Sequence, residues 1–274
     1  MNNLTIIIPL YKSKRWASSL RENIASHLDA GCQVLLSDKH GLDDTLTVLE
    51  REFASDRLKA FRDNSEEGWV ENINLLISRV ETDFFRILPH DDSSTAEQSG
   101  YLLDALVAAP QAVASYGIVR NLQMDTGESR FTQPKAVEED GPNIPWGIAA
   151  FYTAAYSGAF KGVVRTELPN AGRLFIKRTQ TSTDSERLWL SALRMHGKIM
   201  LVEREVLLKR YYEESTHQQW KREAWERADY ASVLCDYIKD MDVPEDLARG
   251  YCREIWENEY HRYRRTLRRQ ESLS

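Results

Sequence analysis

Asp91 and Asp92 are adjacent carboxylates at the end of Phe84-Phe85-Arg86-Ile87-Leu88, an apolar run that reads as a buried strand. Carboxylates fixed on a strand end offer hard anionic oxygens, the ligands that a divalent ion such as Mg²⁺ takes when it also holds a diphosphate. The same residue types suit the cap of the helix that begins near Ser94, where Asp and Ser are favoured. Three more polar sets follow strand-like runs: Pro9-Leu10-Tyr11, Asp38-Lys39 and Asp63-Asn64. Parallel strands of an open α/β sheet end on one edge, and ligands bind in the crevice there, so all four sets are expected to converge.

The elements that would position them are legible as alternating periods. Leu4-Thr5-Ile6-Ile7-Ile8, stopped by Pro9, is a β-branched run of the kind buried on both faces of a parallel sheet. Helical spacing from Trp16 to Leu28 and the apolar run from Gln33 to Ser37 complete a βαβ unit. The alternation continues through expected helices from Asp43, Val70 and Thr95, with strands from Leu58, Asp83 and Ala112. The fold class this predicts is α/β, a doubly wound, mostly parallel sheet flanked by helices.

After Val119 the rhythm changes. Asp125 to Trp146 carries Gly127, Pro134, Gly141, Pro142 and Pro145, an irregular stretch expected as a lid or a surface excursion. Gly158 to Arg165 is expected as a strand, Ser185 to His196 as a helix, and 198–202 and 206–209 as two short strands. Beyond Tyr212 only helical patterns occur, in two long helices, 218–239 and 244–269. The expected organisation is one domain over 1–212, with halves at about 1–120 and 121–212, and a helical extension over 213–274.

With 274 residues and 42% hydrophobic content, the chain can bury a full core. A net charge of -6, from 42 acidic and 36 basic residues, argues against general nucleic-acid binding. Three cysteines without metal-ligand spacing, and an N-terminus with no basic leader, point to a cytoplasmic protein.

In order and spacing, the four polar sets resemble those of family 2 glycosyltransferases, which have the GT-A fold. The residues that carry the resemblance are Ile6-Ile7-Ile8-Pro9-Leu10-Tyr11, then Ser37-Asp38 followed by Asp43-Asp44-Thr45, then Asn64, Gly68 and Asn74, and finally His90-Asp91-Asp92. It covers about residues 4 to 212. The resemblance implies transfer from a nucleotide-diphosphate sugar, with Pro9, Tyr11, Asp38, Asn64, Gly68, Asn74 and Asp91 lining the nucleotide site. Asp92, with Asp91, would hold Mg²⁺ or Mn²⁺ on the diphosphate. Three positions depart from the family pattern: Pro89 stands where a further Asp is usual, Lys39 replaces a second acidic residue, and Tyr212 lies where a metal-binding His is frequent.

Such a transferase needs a carboxylate base for the acceptor hydroxyl. The family places it just before a helix, here Thr183-Asp184-Ser185-Glu186. Spacing back from Gly197 favours Glu186 and position at the helix start favours Asp184, which is the narrow choice. An N-cap is the structural alternative. Gly158 to Gly162 matches the family's small residues near the donor sugar. Trp146, Phe151, Tyr152 and Tyr156 could form a stacking wall or belong to the core.

Five arginines in His261 to Arg269 could hold the enzyme at anionic lipid near a lipid-linked saccharide acceptor, on the inner face of the cell membrane. A solvated face or a homo-oligomer contact is the favoured alternative, since one basic patch without an apolar insertion face binds membrane only marginally. The expected function is inverting transfer in bacterial surface polysaccharide or lipopolysaccharide synthesis. The alternatives are an inactive nucleotide- or partner-binding module and a nucleotidyltransferase, the latter disfavoured by the lack of a glycine-rich triphosphate loop.

Overall fold

A computed structural model describes residues 1–39, 41–63, 68–132, 156–168, 171–182, 184–213, 225–240 and 244–271. Strands β1 (Leu4–Leu10), β2 (Gln33–Lys39), β3 (Leu58–Asp63) and β4 (Phe84–Ile87) alternate with helices α1 (Ala17–Asp29), α2 (Thr45–Glu52) and α3 (Trp69–Ser78). Helix α4 (Ala96–Ala108), β5 (Ala112–Gln123), β6 (Ser129–Thr132), a short α5 (Tyr156–Ala159) and β7 (Val163–Arg165) follow. The chain then forms α6 (Ser185–His196), β8 (Lys198–Tyr211), α7 (Glu226–Lys239) and α8 (Glu245–Glu271).

Alternation along β1 divides the core. Ile6 and Ile8 pack with Leu20, Ile24, Leu46, Leu49, Leu102 and Leu106, so α1, α2 and α4 cover one face. Ile7 points the other way, to Val70, Ile73, Ile77, Trp189 and Leu193 of α3 and α6. A strand buried on both faces needs apolar residues at odd and even positions alike, which is why the run is continuous. The outer side of α6, through Leu188 and Ala192, packs on Tyr230, Leu234 and Ile238 of α7 and Ile255 of α8. No helix among the described residues is long and apolar enough to cross a membrane.

The sheet order is β3-β2-β1-β4-β7-β5-β6, with β8 beside β5. Strands β1 to β4 are mutually parallel, β7 runs antiparallel to both β4 and β5, and β8 is parallel to β5. Two reversals restore the direction, so β5 and β8 point the same way as β1 and β4. The end of β8 and the start of β7 therefore share the edge that carries the carboxyl ends of β1 to β4.

Three expectations are corrected here. Gly158 to Gly162 is a helical turn and a tight turn, and only Val163–Arg165 is strand. A Cβ on Gly162 would lie 2.1 Å from the Ser115 carbonyl oxygen, so the close approach to β5 is open to glycine alone. The two short strands after Gly197 are one long β8, with irregular register opposite Gly117 to Val119. The stretch from Asp125 begins as a hairpin into β6, turned at Gly127 with φ of 72°.

Candidate active site

The Asp91-Asp92 loop is held by three neighbours. Asn23 Nδ2 donates to the Asp92 carbonyl at 2.9 Å, and Asn23 Oδ1 accepts from the Ser94 amide at 3.1 Å. Ser93 and Leu208 exchange backbone hydrogen bonds of 2.9 and 2.8 Å. Arg210 Nη1 donates to the Asp91 carbonyl at 2.9 Å. Helix α4 is capped by Thr95, which forms a reciprocal capping box with Gln98, so the acidic pair is released from that duty.

Asp92 is almost wholly buried. Its Oδ1 accepts the Arg210 amide at 3.2 Å, and its Oδ2 lies 2.6 Å from Lys161 Nζ, whose side chain is also buried. Burial works to depress the Lys161 ammonium, but Asp92 and Asp91 outweigh it and hold that group above its ordinary value. Asp91 Oδ2 accepts the Tyr212 hydroxyl at 2.9 Å. Burial and the Asp91 charge push the Tyr212 phenol up to about 12, so it remains a donor. Arg15 lies 4.0 Å over the Tyr212 ring and 4.8 Å over Trp16.

Lys209, at the end of β8, lies 4.8 Å over the Tyr211 ring. Its charge couples to Lys161, Glu186, Asp92 and Asp91, and burial together with Lys161 lowers it to about 8. Behind these groups Arg86, fully buried in β4, donates from Nε to the Lys161 carbonyl at 2.9 Å and from Nη2 to the Val206 carbonyl at 2.8 Å. Its Nη1 reaches the Ser94 and Ser99 hydroxyls at 2.7 and 2.6 Å.

These contacts do not fit a divalent ion held as expected. Asp92, the intended principal ligand, faces an ammonium and an amide; Tyr212 donates to Asp91 where an imidazole ligand is frequent; Pro89 has no side-chain oxygen. Among the described residues no group of three or more His, Cys, Asp or Glu could hold a metal.

On the nucleotide side, Tyr11 is half exposed, and its amide donates to His90 Nδ1 at 3.1 Å and to Ser13 Oγ at 3.0 Å. Burial keeps His90 below its ordinary value, against the pull of Asp91 and Asp92, so a neutral ring accepts that amide. The next residue, Lys12, has φ of 49°, in the left-handed region. Pro9 and Leu10 pair with Ser37 and Asp38 of β2, which puts Asp38, buried, on the same edge. Gly68 is the N-cap residue of α3, ahead of Glu71. Asn74 is turned elsewhere: its amide donates to the Ile176 carbonyl and accepts the Ile176 amide, each at 2.8 Å. That reciprocal pair clamps α3 to the loop that carries Ile176. Asn64, Trp146, Phe151, Tyr152 and the Tyr156 side chain lie outside the described residues.

The two candidate bases part company at the start of α6. Asp184 is buried, 3.3 Å from Arg187, and its charge bears on Glu259 of α8, which lies 3.4 Å from Arg227 and 3.6 Å from Arg262. The Glu186 charge acts instead on Lys161 and Lys209, which lie on the edge that holds Asp91 and Asp92. Residues 184 and 186 are not neighbours on a helix surface, which is why one can serve the helical extension and the other the cleft. On α8, Arg264, Arg265 and Arg268 are exposed.

Lys161, Lys209, Arg210 and Arg86 are the site's unforeseen members. A lone arginine within the apolar run of β4 was the available signal, because a buried guanidinium must find acceptors.

The sequence matches the family model described as glycosyl transferase family 2 over residues 5–167. Among solved structures, the chain is similar to residues 1–349 of S. aureus TarS, with a TM-score of 0.65 at 15% identity over 96% of this chain and 73% of that one. The same fragment in complex with UDP-GlcNAc gives a TM-score of 0.65 at 14% identity, covering 93% and 71%. A longer TarS structure gives 0.63 at 15% identity, covering 93% and 43%. A comparison with curated proteins found no match. These likenesses agree with the GT-A type of sheet described above, and since the family match spans more than half of its length, the chain belongs to glycosyl transferase family 2.

Proposed function

We propose that the chain is an inverting glycosyltransferase that moves a sugar from a nucleoside-diphosphate sugar to an acceptor hydroxyl, with Glu186 as the base. The observation that carries the reading is the position of Glu186, which bears on Lys161 and Lys209 beside Asp91 and Asp92, whereas Asp184 is engaged with Arg187 and bears on α8. In the reaction the acceptor oxygen attacks the anomeric carbon from the face opposite the leaving group. The new C–O bond forms as the bond to phosphate breaks, the electron pair leaves on the nucleoside diphosphate, and the acceptor proton passes to the Glu186 carboxylate. Attack from the opposite face inverts the anomeric configuration.

Tyr11 offers a half-exposed ring, with the Lys12 ammonium 5.4 Å from its centroid, for the base, and Asp38 a carboxylate on the same edge. A relative in this fold has been crystallised with UDP-GlcNAc, which makes UDP sugars the first donors to try. We assign residues 1–212 to transfer and 213–274 to a helical extension, and place the reaction in surface polysaccharide or lipopolysaccharide synthesis with a saccharide acceptor. Calorimetric titration of UDP, GDP and dTDP, each with and without Mn²⁺, tests the reading. Binding of one of them is expected, and absence of binding by all three under both conditions would sink it.

A further inference from the structure

The end of the crevice that must receive a diphosphate is furnished with lysines. Lys161 sits in the turn before β7, its amide bonded to the Gly158 carbonyl at 3.1 Å and its own carbonyl gripped by Arg86. Gly162 lets that turn lie against Ser115, so the Lys161 side chain leaves from a fixed backbone. Lys209 follows Leu208, the residue bridged to Ser93, and so arrives directly beside the Asp91-Asp92 loop. Both segments hang from Arg86, through the Lys161 and Val206 carbonyls.

We propose that Lys161 and Lys209 are the cations that meet the donor diphosphate, so that donor binding needs no divalent metal. This rests on the sugar-transfer reading above. Lys161 Nζ is held 2.6 Å from the Asp92 carboxylate, just before β7 and so on the edge that carries the carboxyl ends of β1 to β4. Asp92 thereby serves the diphosphate at one remove, by holding the Lys161 side chain in place instead of ligating an ion. Fixed N–H donors stabilise charge developing on a leaving phosphate without reorganisation during the step.

The test is calorimetric titration of the full chain with UDP, GDP and dTDP, in EDTA and again with Mn²⁺ or Mg²⁺. The expected result is binding in EDTA with an affinity unchanged by either metal. Lys209, the more exposed of the two lysines, is varied first: Lys209→Met should weaken nucleoside-diphosphate binding by about tenfold or more, with Lys209→Arg largely restoring it. Far-ultraviolet circular dichroism before each titration confirms that the variants are folded. Because Lys161→Met strands a buried carboxylate, it is made as the pair with Asp92→Asn and should also lose affinity. Binding that appears only with metal, or a Lys209→Met variant that binds as tightly as wild type, would overturn the inference and leave the transferase reading standing. Binding of no nucleotide under any condition removes both.

Discussion

The Lys161 ammonium lies 2.6 Å from the Asp92 carboxylate, at a point where both side chains are almost wholly excluded from solvent. Removing one partner of such a pair leaves the other as an uncompensated buried charge, which costs about 3–5 kcal/mol. Asp92→Asn is therefore expected to lower unfolding stability by that order, measured by urea denaturation. Asn keeps an oxygen for the Arg210 amide, so the double variant Lys161→Met/Asp92→Asn should recover much of the loss. A double variant as unstable as the sum of the single ones would show that the two charges do not act together.

Glu186 and Asp184 are expected to separate by assay. Glu186→Gln should reduce acceptor-dependent transfer by about 10²-fold or more, the usual contribution of a general base, while nucleotide binding persists. Asp184→Asn should retain transfer per folded molecule and lower the thermal midpoint, because it weakens the contact with Arg187. Equal transfer by Glu186→Gln and wild type would exclude Glu186 as the base.

Tyr11→Ala should weaken nucleotide binding with little change in stability. The ring is 50% exposed, so folding gains little from it, whereas stacking of an aromatic ring on a base is worth about 1–3 kcal/mol. Tyr11→Phe should bind as wild type does if stacking is the main contact, and a titration series of the three proteins decides.

Stability should fall with acid in a manner set partly by His27. This residue is fully buried, with Nδ1 2.7 Å from the Asn23 carbonyl and Nε2 2.8 Å from the Ser99 hydroxyl. Burial pushes its pKa down to about 4; the Asn23 bond works against that shift and the Arg86 charge adds to it. Between about pH 6.5 and 4 the unfolded chain binds the proton that the folded chain refuses, so stability rises with pH there. The stabilisation is complete above about pH 6.5 and is lost as pH falls through the folded value, by about 3 kcal/mol at most. In His27→Gln the slope of unfolding free energy against pH over that window should shrink. An unchanged slope would exclude His27 as its source.

How far the sequence could be read follows from which contacts are local. The continuous β-branched run of β1, the 3.6-residue period of α3 and the apolar β4 each declare their type, because both faces of the sheet need filling. Asp38, Asp91 and Tyr11 could be placed on one edge by topology alone. Lys161 could not, since its arrival there depends on β7 running antiparallel between β4 and β5, a reversal set by long-range packing at Gly162. Lys209 needed the same step and then the parallel pairing of β8 with β5. Asn74 shows the complementary limit: an amide has the same hydrogen-bonding capacity for a nucleotide as for the Ile176 backbone, and only the fold chooses.

Arg86 is a shared datum for the whole edge that carries Asp91 and Asp92. One planar group, through four hydrogen bonds, fixes the Lys161 turn, the middle of β8 and the first turn of α4 against the strand that delivers Asp91 and Asp92. Errors in the placement of those parts are therefore correlated: a shift of one drags the others, and the spacing between carboxylates and lysines survives thermal motion better than their absolute position. Lysine at that position would preserve the charge and abolish the common reference, because a single ammonium cannot reproduce the planar fork. The tolerance of the site is thus set inside β4, among residues that never face the crevice.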